Sequence, residues 1–290
     1  MLKVLVIGSS GMLGSSIKSE LLKSQNEVYF TKRRPNSILE EKEYHFDFED
    51  TGLTSWFVNK PKFDFVINCI GAIPQKYPIG SDTEIRQMIE LNTFLPQFLS
   101  DQSILHGFRV IQIATDCVFS GRKGNYTEES GHDAFDIYGV TKSLGEKYAR
   151  NTMVLRCSII GRNDPTNSSL HNWLLAHKQN ATLSGYRNHR WNGVTTVAFA
   201  RIVRGVIDND LFETGLQHVV PSDEVSKNEL LHIIAECNNR NDLNIVEIDH
   251  NMTIDRTLIS LNPKRNQLLW ECAGYEKIPS ITELVIEMDA

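Results

Sequence analysis

Residues 2–14 constrain the fold more than any other stretch. Leu2-Lys3-Val4-Leu5-Val6-Ile7 is a short, apolar, β-branched run, the pattern of a buried parallel strand. It runs directly into Gly8-Ser9-Ser10-Gly11-Met12-Leu13-Gly14, after which Leu13, Ile17, Leu21 and Leu22 mark a helix. Strand, glycine turn and helix form the context that a dinucleotide fingerprint requires. Gly8 allows the tight turn, Gly11 lets backbone approach a pyrophosphate, and Gly14 lets the helix pack on the strand. Phosphates would sit at the helix N-terminus, where free N–H groups and the dipole favour anions. Gly8, Ser10, Gly11, Met12, Leu13 and Gly14 are therefore candidate cofactor residues. The spacing is GxxGxxG rather than GxGxxG, and a purely structural turn is the alternative reading.

Glu27 to Thr31 reads as a second strand, and Lys32-Arg33-Arg34 follows it. An NAD-specific site would place an acid there for the ribose 2′-OH. Cations suit a 2′-phosphate instead, so Arg33 and Arg34 favour NADP(H) over NAD(H), with a solvated basic loop as the alternative. Tyr44 to Phe48 is a third strand, bringing Asp47 and Phe48 to its end, and a helical pattern passes through Trp56, Phe57 and Val58. Phe63 to Ile67 is a fourth, with Cys69, Ile70 and Gly71 just beyond, at the edge that faces ligand in doubly wound sheets. Glu84 to Leu99 is helical, with Asn92 in its middle. Phe108 to Ile113 is a fifth strand and carries Thr115 to the same edge.

Tyr138-Gly139-Val140-Thr141-Lys142 puts a phenol and an ammonium one helical turn apart on one face. Asp133 and Asp136 are candidate caps for that helix. A free tyrosine titrates near ~10, and a neighbouring lysine favours its phenolate, so the pair is a plausible proton donor or acceptor. Met153 to Arg156 is a sixth strand.

Strands alternating with helices imply a doubly wound, parallel, Rossmann-like α/β sheet. Residues 1–156 read as its domain, rejoined by about 193–220, where Val194 to Asp208 is a helix and Leu216 to Val220 a strand. Residues 157–192 and 221–290 read as a smaller, discontinuous α+β substrate region. Within it lie a short helix over 168–177, a strand over 181–184, a polar and aromatic loop over 186–191, a helix over 226–237, a strand over 245–248 and a last helix from about Ile281. Arg187, Arg190 and Trp191 offer cations for a diphosphate and a ring for stacking. Asn192 and Thr195 stand where that loop enters a helix, and a capped helix start is the alternative reading.

Composition narrows the class. A net charge of −6, with no basic run longer than 32–34, argues against nucleic acid as partner. The five cysteines are scattered without CxxC spacing, which points to no metal site and no disulfide framework. No secretory signal and no apolar run of ~20 residues is seen, so the expectation is a cytoplasmic protein without a membrane partner.

Taken together, Gly8-xx-Gly11-xx-Gly14, Asn68 to Ala72, Asn92, Thr115 and Tyr138-xxx-Lys142 resemble the extended short-chain dehydrogenase/reductase superfamily. Ala114-Thr-Asp-Cys-Val-Phe-Ser-Gly121, Tyr138-Gly-Val-Thr-Lys-Ser-Leu-Gly-Glu146, Leu155-Arg-Cys-Ser-Ile-Ile-Gly161 and Pro221 to Leu231 are most similar to dTDP-4-dehydrorhamnose reductases and their nucleotide-sugar relatives. The resemblance implies NADPH-dependent reduction of a 4-keto-6-deoxy nucleotide sugar for cell-surface polysaccharide, and a homodimer of the kind common in the superfamily. It implies that Tyr138 gives a proton to the ketone oxygen, Lys142 lowers its pKa and holds the nicotinamide ribose, and Thr115 bonds the oxygen as it becomes an alkoxide. It makes Asn92 a structural support and puts Asp116 and Cys117 beside the substrate. Dehydratases of the group carry Asp-Glu after the threonine, and Asp116-Cys117 departs from that pair. GDP-fucose synthase has a cysteine at this place, working with a histidine. Cys117 with His171 could then epimerise at C3 and C5, or Cys117 could simply line the wall. A third reading is a non-catalytic, NADP-binding regulatory subunit like the β subunit of methionine adenosyltransferase.

Overall fold

The computed structural model describes residues 1–33, 39, 41–49, 55–74, 82–147, 150–162 and 169–289. The chain begins β1 (Lys3–Ile7), α1 (Met12–Leu21), β2 (Glu27–Lys32), β3 (Glu43–His45), β4 (Phe65–Asn68), α2 (Asp82–Ile89), α3 (Leu95–His106), β5 (Arg109–Thr115), α4 (Ile137–Lys147) and β6 (Thr152–Cys157). It continues with β7 (Ile159–Ile160), α5 (Leu170–Leu175), β8 (Thr182–Tyr186), β9 (His189–Trp191), β10 (Val194–Thr195), α6 (Thr196–Asp208) and β11 (Gly215–His218). β12 (Val225–Ser226), α7 (Lys227–Cys237), β13 (Asn244–Ile248), β14 (Ile254–Asp255), α8 (Pro263–Cys272) and α9 (Ile281–Asp289) complete it.

Seven strands form one sheet in the order β11-β6-β5-β4-β1-β2-β3. All its pairings are parallel. β1 alternates cleanly between two cores. Val4 and Val6 face α1 and α6, packing with Ile17, Val203 and Val206. Leu5 and Ile7 face α3, packing with Leu95, Leu99 and Phe108. A strand buried on both faces reads as a continuous apolar run for this reason. β1 lies between β2 and β4, where the winding of the sheet reverses; a crevice for ligand opens at the strand ends there.

α6 packs along α1, and β11 then extends the sheet beside β6. Of the remaining C-terminal elements, α8 packs on α6 through Leu269 and Trp270, and the others build a smaller core in which Leu174, Leu230, Ile234 and Val285 meet. It is edged by the parallel pair β8–β13 and the small sheet β12-β9-β14.

Several expectations need local correction. Trp56 to Val58 forms turns rather than a helix. Trp56 instead donates from its indole to the His45 carbonyl (3.0 Å) and packs edge-on against Phe46, so aromatic packing outweighs periodicity. Residues 186–191 contain β9, whose pairing with β12 comes from a distant segment. α8 was not expected. Its buried face is narrow, mainly Asn266, Leu269 and Trp270, although Asn262 caps it and Pro263 opens it. Between α2 and α3 the helix makes a π turn, Glu90–Phe94, which turns the buried Asn92 toward the ligand edge. No described helix is long and apolar enough to cross a membrane, and among the described residues no cluster of three His, Cys, Asp or Glu could hold a metal.

Candidate active site

Gly8 ends β1 with φ of +82°, a conformation open mainly to glycine. Its N–H donates to Thr31 Oγ1 (3.0 Å), and its carbonyl accepts from Gly11 (3.2 Å). Gly11 is the N-cap of α1 and supplies no side-chain cap, so the first N–H groups of the helix stay open. They face a cavity of about 340 Å³. Ser10, Gly11, Met12 and Leu13 line one wall of it and Cys69, Ile70 and Gly71 another. Arg33, Asp47 and Phe48 stand at one end, Tyr138 and Lys142 at the other. Open amides, glycine walls and length suit a dinucleotide: the diphosphate at α1, one nucleoside toward Arg33 and the other toward Tyr138.

Arg33 bonds Asp47 (3.2 Å) and lies 3.7 Å from Glu49. Arg34 falls outside the described residues. Asn92 does not line the cavity. It accepts from the Ala72 N–H and donates to the Ala72 carbonyl (both 2.9 Å), and it reaches Thr141 Oγ1 at 3.1 Å. It thereby fastens the loop after β4 to α4, the structural part expected of it.

A second cavity, about 510 Å³, adjoins the first, and both are lined by Met12, Ile73, Ile113, Tyr138 and Lys142. Thr115, Asp116 and Cys117 enter it from the end of β5. Thr115 caps the short turn 116–118 by accepting from the Cys117 N–H (3.2 Å) and donates to Asp116 Oδ1 (3.3 Å). Asp136 accepts from the Gly139 N–H (2.9 Å), as a cap of α4 should. Asp133, the other candidate, clamps Ser120 instead.

The electrostatics of the pair differ from expectation. Burial raises the Tyr138 phenol well above its ordinary range, the Cys117 and Asp116 side chains add to this, and the Thr115 hydroxyl works against it. Burial overrides the acidifying effect expected of Lys142. The phenol therefore keeps its proton rather than standing as a phenolate. Lys142 donates to the Ile113 carbonyl (3.2 Å), and burial lowers its pKa against an opposing pull from Glu146. Cys117 is pushed up to about 12, chiefly by burial, so it is a neutral thiol.

The sequence-expected substrate residues divide. Trp191 lines the second cavity and anchors its indole N–H on Ser158 Oγ (2.8 Å). Arg187 does not line it; its guanidinium is paired with Asp249 and lies 3.5 Å from Glu247. Arg190 is held by Glu224 (2.7 Å). Asn192 is buried and bonds both the carbonyl (2.8 Å) and the N–H (2.9 Å) of Leu258. Thr195 is the buried N-cap of α6, accepting from Ala198 (3.3 Å). These are structural tasks. His171 is also buried and bonds Asp289 (2.9 Å), so it is not brought to Cys117.

Two cations in the second cavity were missed. Arg256 donates to the Phe119 carbonyl (2.8 Å) and reaches the Cys117 sulfur at 3.6 Å. Lys227 stands 5.1 Å over the Trp191 ring, and burial lowers it to about 8. Lys227 carried a usable signal. It opens α7 directly after the N-cap Ser226, inside the Ser226–Glu229 capping box, and a cation at a helix N-terminus opposes the dipole. Arg256 carried none, because its place depends on a fold of 139 residues back to Cys117. Lys227 and Leu170 also line a third, adjoining pocket of about 330 Å³ with Trp173, Tyr186 and His189.

Comparison with known proteins follows this geometry. A family model described as RmlD substrate binding domain matches residues 2–257. The spore coat polysaccharide biosynthesis protein SpsK of Bacillus subtilis (strain 168) is 27% identical over 153 residues, 52% of this chain and 50% of that one. The match thus spans about half the length of the curated relatives. Among solved structures, a dTDP-4-dehydrorhamnose reductase from Bacillus anthracis in complex with NADP superposes with a TM-score of 0.76 at 18% identity, covering 99% of this chain and 98% of that one. MoeE5 in complex with UDP-glucose and NAD gives 0.74 at 19% identity, covering 99% and 97%. At these identities the structural likeness concerns the fold.

Proposed function

The chain belongs to the RmlD substrate binding domain family, and from that premise we propose that it is an NADPH-dependent reductase of the 4-keto group of a nucleotide-linked 4-keto-6-deoxy sugar. The observation that carries the reading is the meeting of the two cavities at Tyr138 and Lys142, with Thr115 in the substrate cavity beside them. A nicotinamide dinucleotide held along the glycine turn supplies a hydride when bound. Everything else falls to side chains. Thr115 and Tyr138 orient the ketone oxygen by hydrogen bonds. Tyr138 gives its phenolic proton to that oxygen, and the phenolate left behind is stabilised by the Lys142 ammonium. Lys142 then returns a proton to the phenolate, and solvent restores the lysine.

The substrate's orientation follows from charge. Besides Lys142, Arg256 and Lys227 are cations lining the second cavity, and they suit the diphosphate. Trp173, Tyr186 and His189 offer rings to the base. Residues 1–156, with about 193–220, would then hold the cofactor, and 157–192 with 221–290 the sugar nucleotide. A spore-coat polysaccharide relative and this substrate class support a part in polysaccharide synthesis. Separation of Cys117 from His171 supports reduction without epimerisation.

Incubation of the protein with NADPH and a panel of nucleotide-linked 4-keto-6-deoxy sugars tests the proposal. Oxidation of NADPH in step with formation of the 4-hydroxy sugar is expected. Tight NADPH binding with no turnover on any member would instead support a regulatory subunit.

A further inference from the structure

Lys142 poses an electrostatic problem. It is 8% exposed, and an ammonium in such a place tends to lose its proton. The reduction proposed above needs it charged, because a neutral amine would not steady a phenolate. Its hydrogen bond to the Ile113 carbonyl is a single neutral contact.

The groups around it can be taken element by element. From α4 come Tyr138, a neutral phenol, and Glu146, one turn further on the same face. From the end of β5 comes Cys117, and from β6 Cys157, both kept as neutral thiols by burial. From the π turn comes Asn92, whose Oδ1 lies, like the ammonium, beside Gly71. Asp116 and Asp136 also line the cavity that Lys142 lines, but Glu146 is the carboxylate one turn away on its own helix and the one that opposes the effect of burial on the ammonium.

Glu146 is itself 7% exposed, and its charge partner is Arg156. Its guanidinium is fully buried and donates to Glu146 Oε2 at 2.5 Å. The same guanidinium donates to His132 Nε2 (2.7 Å) and His218 Nε2 (2.9 Å). Both imidazoles must accept there, so each keeps its proton on Nδ1, facing Ser143 Oγ (2.6 Å) and the Ile259 carbonyl (2.9 Å). Neither histidine brings a charge to compete for the carboxylate. Among the described residues Glu146 Oε1 has no hydrogen-bond partner, so its charge is not spent on another donor.

We propose that Glu146, one turn from Lys142 on α4 and clamped by Arg156, is a positioning residue that keeps Lys142 in its ammonium form. The inference rests on the reductase reading for its purpose, but not for its test. Trace acetylation of Lys142 in the cofactor-free protein, quantified by mass spectrometry across alkaline pH, reads the neutral amine directly. In Glu146→Gln the midpoint is expected to fall by about one pH unit, roughly tenfold more labelling below the midpoint. Glu146→Asp, which keeps the charge, is expected to stay near wild type. Should the single Gln variant fail to fold, Glu146→Gln with Arg156→Met removes both buried charges together and carries the same expectation. An unchanged midpoint in the folded variants overturns the proposal. The alkaline limb of kcat/KM, moving with the labelling midpoint, then links the residue to turnover. Absence of turnover alongside a shifted midpoint would count against the reductase reading alone.

Discussion

A Cβ placed on Gly14 would lie 2.1 Å from the carbonyl oxygen of Gly8. The two glycines hold α1 against the end of β1 more closely than any side chain allows, and the Gly8 carbonyl also accepts from Gly11. Gly14→Ala is therefore expected to push the helix start out of line with the cavity. The Kd for NADPH should rise by about tenfold or more, with a lowered melting temperature. Fluorescence titration and a thermal melt check this. An alanine variant that binds cofactor as wild type does would mean the phosphates lie elsewhere.

Tyr138→Phe removes a proton donor while leaving the ring in place. Turnover should fall by about 10²-fold or more, with NADPH affinity within a few-fold of wild type. Steady-state rates and a cofactor titration separate the two effects. Equal turnover by the phenylalanine variant would end the proton-donor assignment.

Arg33 borders the first cavity and, of the described residues Lys32 and Arg33, is the one that lines it. Arg33→Ala is expected to weaken NADPH several-fold more than NADH, since only the former carries a 2′-phosphate. Equal losses for the two cofactors would remove the basis for preferring NADP.

Cys117 is a thiol held at about 12 by burial. Alkylation by iodoacetamide at pH 8 should be slow, because only about one molecule in 10⁴ is thiolate there. Cys117→Ser should keep reduction within a few-fold of wild type. Product formed in D₂O should carry no deuterium at C3 or C5 beyond background; incorporation that vanishes in the serine variant would restore the epimerase reading.

His218 is depressed to about 4, mainly by burial and then by the adjacent Arg156 cation. The sign follows from its ordinary value near ~6.5. As pH falls, the unfolded chain takes the proton first, so stability is complete above about pH 6.5 and is lost toward about pH 4. The melting temperature should drop across that window. His218→Gln can still accept from Arg156 and donate to the Ile259 carbonyl, and it should flatten the slope. An unaltered slope would assign the acid sensitivity to other groups.

Much of this protein was legible along the chain. The strand, glycine turn and helix of 2–21 depend on neighbours a few residues apart, and so does the Tyr138–Lys142 spacing on one helical turn. Five or six strands alternating with helices implied a parallel sheet, and the seven-stranded sheet bears that out. Legibility failed where short-range pattern and long-range contact competed. Trp56 to Val58 had helical spacing, yet the aromatic cluster around Tyr44, Phe46 and Phe63 took Trp56 and Phe57 and left Val58 exposed. Asn192 was read first as a ligand residue, yet Leu258 uses it, while Thr195 takes the alternative reading of a helix cap.

Sequence by itself determined the sheet, the glycine turn and the Tyr138–Lys142 spacing, because each rests on periodicity and backbone sterics within one element or one turn. Tertiary structure alone decided which cations reach the substrate cavity. Arg187 is neutralised by Asp249, 62 residues away, while Arg256 is carried to Cys117 across 139. It also decided that Tyr138 stays a neutral phenol. Charge and solvation are set by everything that surrounds a group, and in a folded chain most of what surrounds it comes from far along the sequence.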